Sequence, residues 1–237
     1  MMKEIPLTAV TDNNLLIRIH PEGVFYAIMD ENEQVVLQQM ISMPAGKFKD
    51  VDFLKHFFDQ PELRVHSENI SIVFENSNYM LIPNEIFRNE DVKKLYEIEF
   101  GKKEKIELKF NLLPQWGAHL VFRTENYLTE FLEKKYPNAE IEHHIFNLLR
   151  KKIKKNVSSV YANLRKECVD IIVVKNSKLL IVNSFEAKSE QDIVYFVLNI
   201  YEQLELDIET FPLKLFSEKS ISSSLLELLK QYIRKVE

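Results

Sequence analysis

Glycine is scarce in this chain: there are four in 237 residues, at positions 23, 46, 101 and 117. Average usage is about 7%, so the side-chain-free loops that wrap phosphate groups have few places to form. Neither a Walker-type loop nor a dinucleotide-binding fingerprint is present. Cysteine is scarcer still. The single Cys168 excludes an intramolecular disulfide framework and fits a reducing compartment, which makes the cytoplasm the expected location. Met1-Met2-Lys3-Glu4-Ile5-Pro6 carries no secretory signal, and no run of about 18 apolar residues exists to span a bilayer. An excess of one charge is also missing. The net charge of −5 is spread over alternating acids and bases, so the whole molecule has no bias toward nucleic acid or anionic membrane.

What is present is an ordinary globular composition, 46% hydrophobic and 28% charged. The chain is long enough for one large domain or two modest lobes, each with a core. One order of elements, three strands and then a helix, is read twice. The first copy has runs at Leu15 to Ile19, Gly23 to Met29 and Val35 to Ile41, separated by the polar clusters His20-Pro21-Glu22 and Asp30 to Gln34. An antiparallel meander follows from that spacing. Asp50 then caps a helix through Phe53, Leu54, Phe57 and Phe58, with Pro61 beyond its end. Ile70 to Phe74 is a buried strand returning after a helical crossover.

The middle of the chain reads as an extended Tyr79 to Ile82, a charged helical stretch up to Tyr96, and strands at Ile106 to Phe110 and Ala118 to Phe122. Thr124 is expected to open a helix that reaches Tyr136, and Ile141 to Lys155 to be a short strand running into a helix. The second meander comprises Val160 to Leu164, Val169 to Val174 and Lys178 to Phe185, with Lys175-Asn176-Ser177 as a tight hairpin turn. Ser189 and Asp192 form a capping pattern before an apolar stripe from Ile193 to Leu204. Pro212 to Phe216 supplies a fourth strand, and Ser224 with Glu227 is expected to cap a last helix.

Common catalytic patterns find little support. None of the six histidines forms a HExxH-like pair, and in a strand His143 and His144 would face opposite ways, one half-buried and one toward solvent. Cys168 lies beside Glu167 and Asp170, whose charge raises a thiol pKa, so a structural role is expected. There is no Gly-x-Ser-x-Gly elbow, and the carboxylates of a ribonuclease H-type nuclease are missing from Leu15 to Ile19. Two surface features remain. Arg150 to Lys155 is a dense basic run able to meet phosphate, although cations also suit a helix C-terminus. Trp116, between Pro114 and Gly117, marks a loop suited to anchoring a partner.

The order βββαβα is that of the ribonuclease H-like unit, and two such units make the actin-like fold. In order and length the whole chain resembles a bacterial domain-of-unknown-function family assigned the actin-like ATPase fold. More distantly, it is similar to the actin-like cytoplasmic proteins of pilus-assembly and type II secretion machines. The closest echo of that second group lies in Ala118 to Lys152. The resemblance implies ATP and magnesium in a central cleft, held by turns reading roughly Asp-x-Gly between the first two strands of each lobe. Here the first turn is Ile19-His20-Pro21-Glu22-Gly23, with Gly23 as a remnant, a proline in place of one donor, and no aspartate. The second, Leu164 to Asp170, has no glycine; Arg165 and Lys166 could meet phosphate as charges, while cations on a hairpin are commonly just solvated.

The expected fold is therefore α/β, with duplicated ribonuclease H-like lobes at residues 1–152, including an inserted strand-helix segment, and 153–237. The expected function is non-catalytic: a scaffold or adaptor without cofactor or metal that binds another protein through Trp116, Lys151, Lys152, Lys154 and Lys155. The alternative is a divergent ATPase using Gly23, Arg165 and Lys166 with ATP and magnesium. A third class, nucleic-acid binding through the basic helix end, ranks below both.

Overall fold

The computed structural model describes residues 14–21, 23–32, 34–42, 50–60, 63, 69–102, 106–218 and 220–237. Pro61, Gly46, Glu22 and the N-terminal segment, all used in the sequence reading, lie outside the described residues. The chain divides into two compact units: Met1–Leu113 with Ala118–Arg150, and Pro114–Gly117 with Lys151–Glu237.

The first unit opens with strands β1 (Asn14–His20), β2 (Gly23–Met29) and β3 (Val35–Ser42) as an antiparallel meander. Alternation dictates the pairing: Leu15, Ile17 and Ile19 of β1 are buried, opposite Ile28, Tyr26 and Val24 of β2. Helix α1 (Val51–Phe58) starts where the Asp50 carboxylate accepts the Phe53 amide at 3.0 Å. It carries the chain over to β4 (Asn69–Phe74), which returns parallel to β1. A second sheet follows, made of β5 (Tyr79–Pro83), β6 (Ile106–Leu113) and β7 (Ala118–Glu125), with β7 in the middle. Helix α2 (Asn89–Phe100) packs Val92 and Tyr96 onto Ile82 and Val121 of that sheet.

Helix α3 begins at Asn126, two residues later than expected, and runs to Lys135. Thr124 belongs instead to β7, where it pairs with Glu107 of β6 and is buried, so the ladder outcompetes the helix there. Strand β8 (Glu140–His143) adds to β4 in parallel and completes the order β3-β2-β1-β4-β8. Helix α4 (His144–Asn147) continues into a π-helical turn at Leu148–Lys152.

The second unit repeats the plan. Strands β9 (Ser159–Arg165), β10 (Cys168–Lys175) and β11 (Lys178–Glu186) form a meander whose last turn places Asn176 at φ 53 and Ser177 at φ 61. Helix α5 (Glu190–Gln203) starts with the expected reciprocal cap between Ser189 and Asp192. Its face of Val194, Val197, Ile200 and Tyr201 shares a core with Val160, Ala162, Val169, Ile171 and Val173. Strand β12 (Leu213–Ser217) then pairs parallel to β9, giving β11-β10-β9-β12. Helix α6 (Ser223–Lys230) is capped by Ser222, whose hydroxyl accepts the Leu225 amide at 3.2 Å. Ser224, the expected cap, lies inside the helix and donates its hydroxyl to Glu190 at 3.0 Å.

Candidate functional site

In each unit the turn between the first two strands is where a phosphate-gripping loop was sought. In the first, His20 pairs with Gly23 across β1 and β2. Gly23 lies opposite Ser42 of β3, and a Cβ built on it would stand 2.2 Å from the Ile41 carbonyl oxygen. No side chain fits there. The glycine is required by the close approach of its own sheet, and its φ is not in the left-handed region.

The second turn runs from Arg165 to Cys168. Glu167 takes φ 53 at its tip, and its carbonyl accepts the Ala187 amide at 3.0 Å. Lys166 is exposed. Arg165 does not project outward as a hairpin cation would. Its guanidinium forks onto Asp170, Nε to Oδ2 at 2.8 Å and Nη2 to Oδ1 at 2.7 Å, with the two side chains 8% and 0% exposed. Asn163 donates to Oδ2 at 2.9 Å and the Ser184 hydroxyl to Oδ1 at 2.5 Å. Register explains the meeting. Asp170 of β10 lies directly opposite Asn163 of β9 and Ser184 of β11, and diagonally from Arg165. These side chains occupy the face of the sheet opposite the Val160, Ala162, Val169, Ile171 and Val173 core. A buried, bidentate and fully hydrogen-bonded pair of this kind fixes local geometry and is disrupted strongly by loss of one partner.

The sequence reading missed Asn163, Asp170 and Ser184 as a group. The signal was available, because a two-residue hairpin at Lys166-Glu167 brings Arg165 and Asp170 diagonally together. Cys168 is buried beside a neighbour the sequence reading did not include. Arg165 Nη2 donates to its sulfur at 3.0 Å, and the same nitrogen pairs with Asp170 Oδ1 at 2.7 Å.

The basic run is divided among several neighbours. Arg150 pairs with Glu142 at 2.8 Å and lies 4.7 Å from the Phe146 ring centroid. Lys152 lies 5.5 Å from the Phe216 ring centroid. Lys155 donates its ammonium to the Gln115 carbonyl at 2.8 Å, which joins the run to the 3-10 turn Pro114–Trp116. Lys151, Lys152, Lys154 and Lys155 are all exposed, and Trp116 is half-buried. Trp116 and these four lysines fall in one unit, where Lys155 touches the residue before Trp116, and Gly23 falls in the other unit.

The histidine expectation is corrected. His143 and His144 are both buried, their ring centroids 4.4 Å apart. Strand alternation ends at His143, where α4 begins, so the two side chains are not forced to opposite faces. His143 Nδ1 accepts the Ile145 amide at 3.4 Å, which places its proton on Nε2, 3.1 Å from the Asn76 carbonyl. His119 is stacked on Phe87 at 3.7 Å between centroids, and burial holds its pKa below the ordinary imidazole value. Among the described residues no group of three or more His, Cys, Asp or Glu could hold a metal ion. No helix among them is long and apolar enough to cross a membrane.

A family model described as a protein of unknown function (DUF3822) matches residues 3–236. No curated protein matches the chain. Among solved structures, a Bacteroides thetaiotaomicron protein with actin-like ATPase fold and unknown function superposes with a TM-score of 0.81 at 23% identity, covering 99% of this chain and 93% of that one. A chain of the PilM-PilN type IV pilus biogenesis complex gives a TM-score of 0.56 at 13% identity, covering 96% and 88%. The ethanolamine utilization protein EutJ from Carboxydothermus hydrogenoformans gives 0.52 at 8%, covering 95% and 84%. These likenesses establish an actin-like ATPase fold.

Proposed function

The chain belongs to the DUF3822 family, and from that premise we propose that it is a non-catalytic actin-like protein, a scaffold or adaptor that holds another protein. The observation that carries this reading is the closed network around Asp170. An actin-like nucleotide site needs a carboxylate free to act through metal and water, and backbone open to phosphate. Here Asp170 is enclosed by Arg165, Asn163 and Ser184, and the left-handed turn position is occupied by Glu167. Gly23, the first turn's remnant, is accounted for by the close approach of the Ile41 carbonyl of its own sheet and calls for no phosphate to explain it. These features support a turn pair that does not hold a triphosphate. The fold itself is held by apolar strands and helices, so it persists without the ligand. The matching strand orders of the two main sheets support an internal duplication of a ribonuclease H-like lobe.

The partner surface we assign is the Trp116 turn with Lys151, Lys152, Lys154 and Lys155. It joins an aromatic anchor to exposed cations, the composition of a protein-binding hot spot with a charged rim. That one solved chain of this fold belongs to a PilM-PilN complex is consistent with such a role. Nucleic acid is disfavoured because Arg150, Lys152 and Lys155 serve an acid, a ring and a carbonyl respectively, rather than one line of phosphates.

Thermal unfolding with millimolar ATP and magnesium tests the nucleotide half. The scaffold predicts no shift, whereas a ligand at 100 times its dissociation constant stabilises by about 2.7 kcal/mol, and a shift of that size would refute it. Affinity capture from the source cell tests the other half. A partner is expected to be retained by the intact chain and lost from Trp116→Ala combined with Lys154→Glu and Lys155→Glu. Retention by that variant removes the assigned surface.

A further inference from the structure

Opposite charges are interleaved over most of this chain, which carries −5 overall. Two stretches break that rule. Residues 143–166 hold seven lysines and arginines and no acid, and residues 171–185 hold Lys175 and Lys178 and no acid. The fold brings part of the first stretch against the second. Ser159, which opens β9, lies opposite Val174 near the end of β10, and Lys175 lies opposite Lys178 across the mouth of the hairpin between β10 and β11. The Asn176 amide in that hairpin donates to the Ser158 hydroxyl at 3.0 Å. The turn before Ser158 is closed by Val157 N to Lys154 O at 3.2 Å, and Lys155 of the same turn reaches the Gln115 carbonyl beside Trp116. One end of the second unit's sheet therefore gathers Lys154, Lys155, Lys175 and Lys178, with Lys151 and Lys152 just before them in sequence and the Trp116 turn alongside.

Folding alone does not favour this gathering. Like charges directly opposite each other on neighbouring strands destabilise a sheet, and Lys175 faces Lys178 in that way. Elsewhere in the same unit lysines are matched, Lys188 with Glu186 and Lys214 with Glu237, both at 2.7 Å. Among the described residues no carboxylate pairs with any of the six lysines at this end. Charge also divides along the end of the sheet. The segment leading into β12 carries the exposed Glu205, Asp207 and Glu209, so the cations are confined to the side formed by β9, β10 and β11.

We propose that the partner presents an extended acidic segment to this surface, its carboxylates meeting Lys154, Lys155, Lys175 and Lys178 beside the Trp116 turn. Such a partner belongs to the scaffold reading, on which this inference rests. Complementary charge offsets the repulsion across the hairpin mouth and steers the encounter. A chain of carboxylates suits these groups better than a chain of phosphates. Bidentate forks for phosphate come from arginine, and both arginines of the basic stretch are already engaged, Arg150 with Glu142 and Arg165 with Asp170. What is left is lysine, a compact point charge.

Fluorescence anisotropy of the full chain with labelled oligoglutamate, and separately with oligothymidylate of equal charge, is the test. Oligoglutamate is expected to bind, more weakly as salt rises, and more tightly than oligothymidylate. Lys178→Glu sets opposite charges across the hairpin mouth, so it should raise the unfolding temperature while weakening oligoglutamate binding about tenfold. Lys93→Glu with Lys94→Glu, exposed on α2 of the first unit, should leave that binding unchanged. Absence of oligoglutamate binding overturns the proposal, as does binding indifferent to Lys178→Glu or weakened equally by the α2 variant. Oligothymidylate binding as tight or tighter overturns it in favour of nucleic acid. Capture from the source cell keeps the two readings apart. A partner lost from the Trp116 variant and retained by Lys178→Glu removes the acidic segment alone, whereas one retained by both variants removes the scaffold surface itself.

Discussion

The two main sheets share a strand order, β3-β2-β1-β4 in the first unit and β11-β10-β9-β12 in the second, and differ in what closes the turn between their first two strands. In the first unit that turn is shaped by absence, a glycine pressed under the Ile41 carbonyl. In the second it is shaped by charge, a guanidinium and a carboxylate sealed together at 2.7 Å. Topology follows from apolar alternation and from the handedness of the crossover, and these two sheets satisfy both with unlike chemistry at the turn. One strand order therefore tolerates two unlike turns.

Disrupting each turn measures how unlike they are. The largest effect is expected from Asp170→Ala, which leaves the buried Arg165 without its partner. Chemical denaturation should show a loss of about 3–5 kcal/mol, and Arg165→Met with Asp170→Leu should recover most of it. A single-variant loss below about 1 kcal/mol, the worth of an exposed pair, would make the second turn no more demanding than the surface. In the first turn, Gly23→Ala forces the β3 backbone aside and should cost about 1–3 kcal/mol by the same measurement.

A smaller contrast lies in the helices that follow each meander. Ser189→Ala removes the reciprocal cap of α5, and Asp50→Ala the one-sided cap of α1. Each should cost about 1 kcal/mol, and Ser189→Ala with Asp192→Ala should cost more than Ser189→Ala alone, because the bond from the backbone amide of residue 189 then goes too.

The smallest effect is pH-dependent and should separate the units cleanly. The five described histidines, at positions 20, 56, 119, 143 and 144, fall in the first unit, and the sequence of the second unit has none. Burial depresses the His119 pKa, so the folded state prefers the neutral ring. The unfolded chain takes up the proton first on acidification. Stability from this group is therefore present above the ordinary imidazole value and declines as pH falls through the depressed one. Amide exchange in β5, β6 and β7 should accelerate between pH 7 and about pH 5 relative to β9 and β10, after correction for intrinsic rates. His119→Phe should reduce that difference; an unchanged difference would assign it to other groups.

Much of this architecture is legible in the residues. Ser189 and Asp192 announce α5, Asn176 announces the last hairpin, and Val169 to Val174, apolar except for Asp170, announces a strand. Three consecutive serines, 222 to 224, hide which one caps α6, because the first-turn amides can reach any of them as a sequence is read. His143 and His144 mislead because they straddle the point where a two-residue period becomes a helical one. The site was less readable than the fold. Arg165 reads as a solvated cation until the register of β9 on β10 places Asp170 beside it, and only the path of β3 reveals why position 23 must be glycine.

The sulfur of Cys168, shielded beneath Arg165 and unique in the chain, turns the second unit into its own reporter. An alkylating reagent reaches it only when the hairpin opens, so under native conditions the labelling rate clocks that opening without any engineered probe. Asp170→Ala and Ser189→Ala, both in this unit, can each be followed at one atom in this way, with no second thiol to confuse the reading.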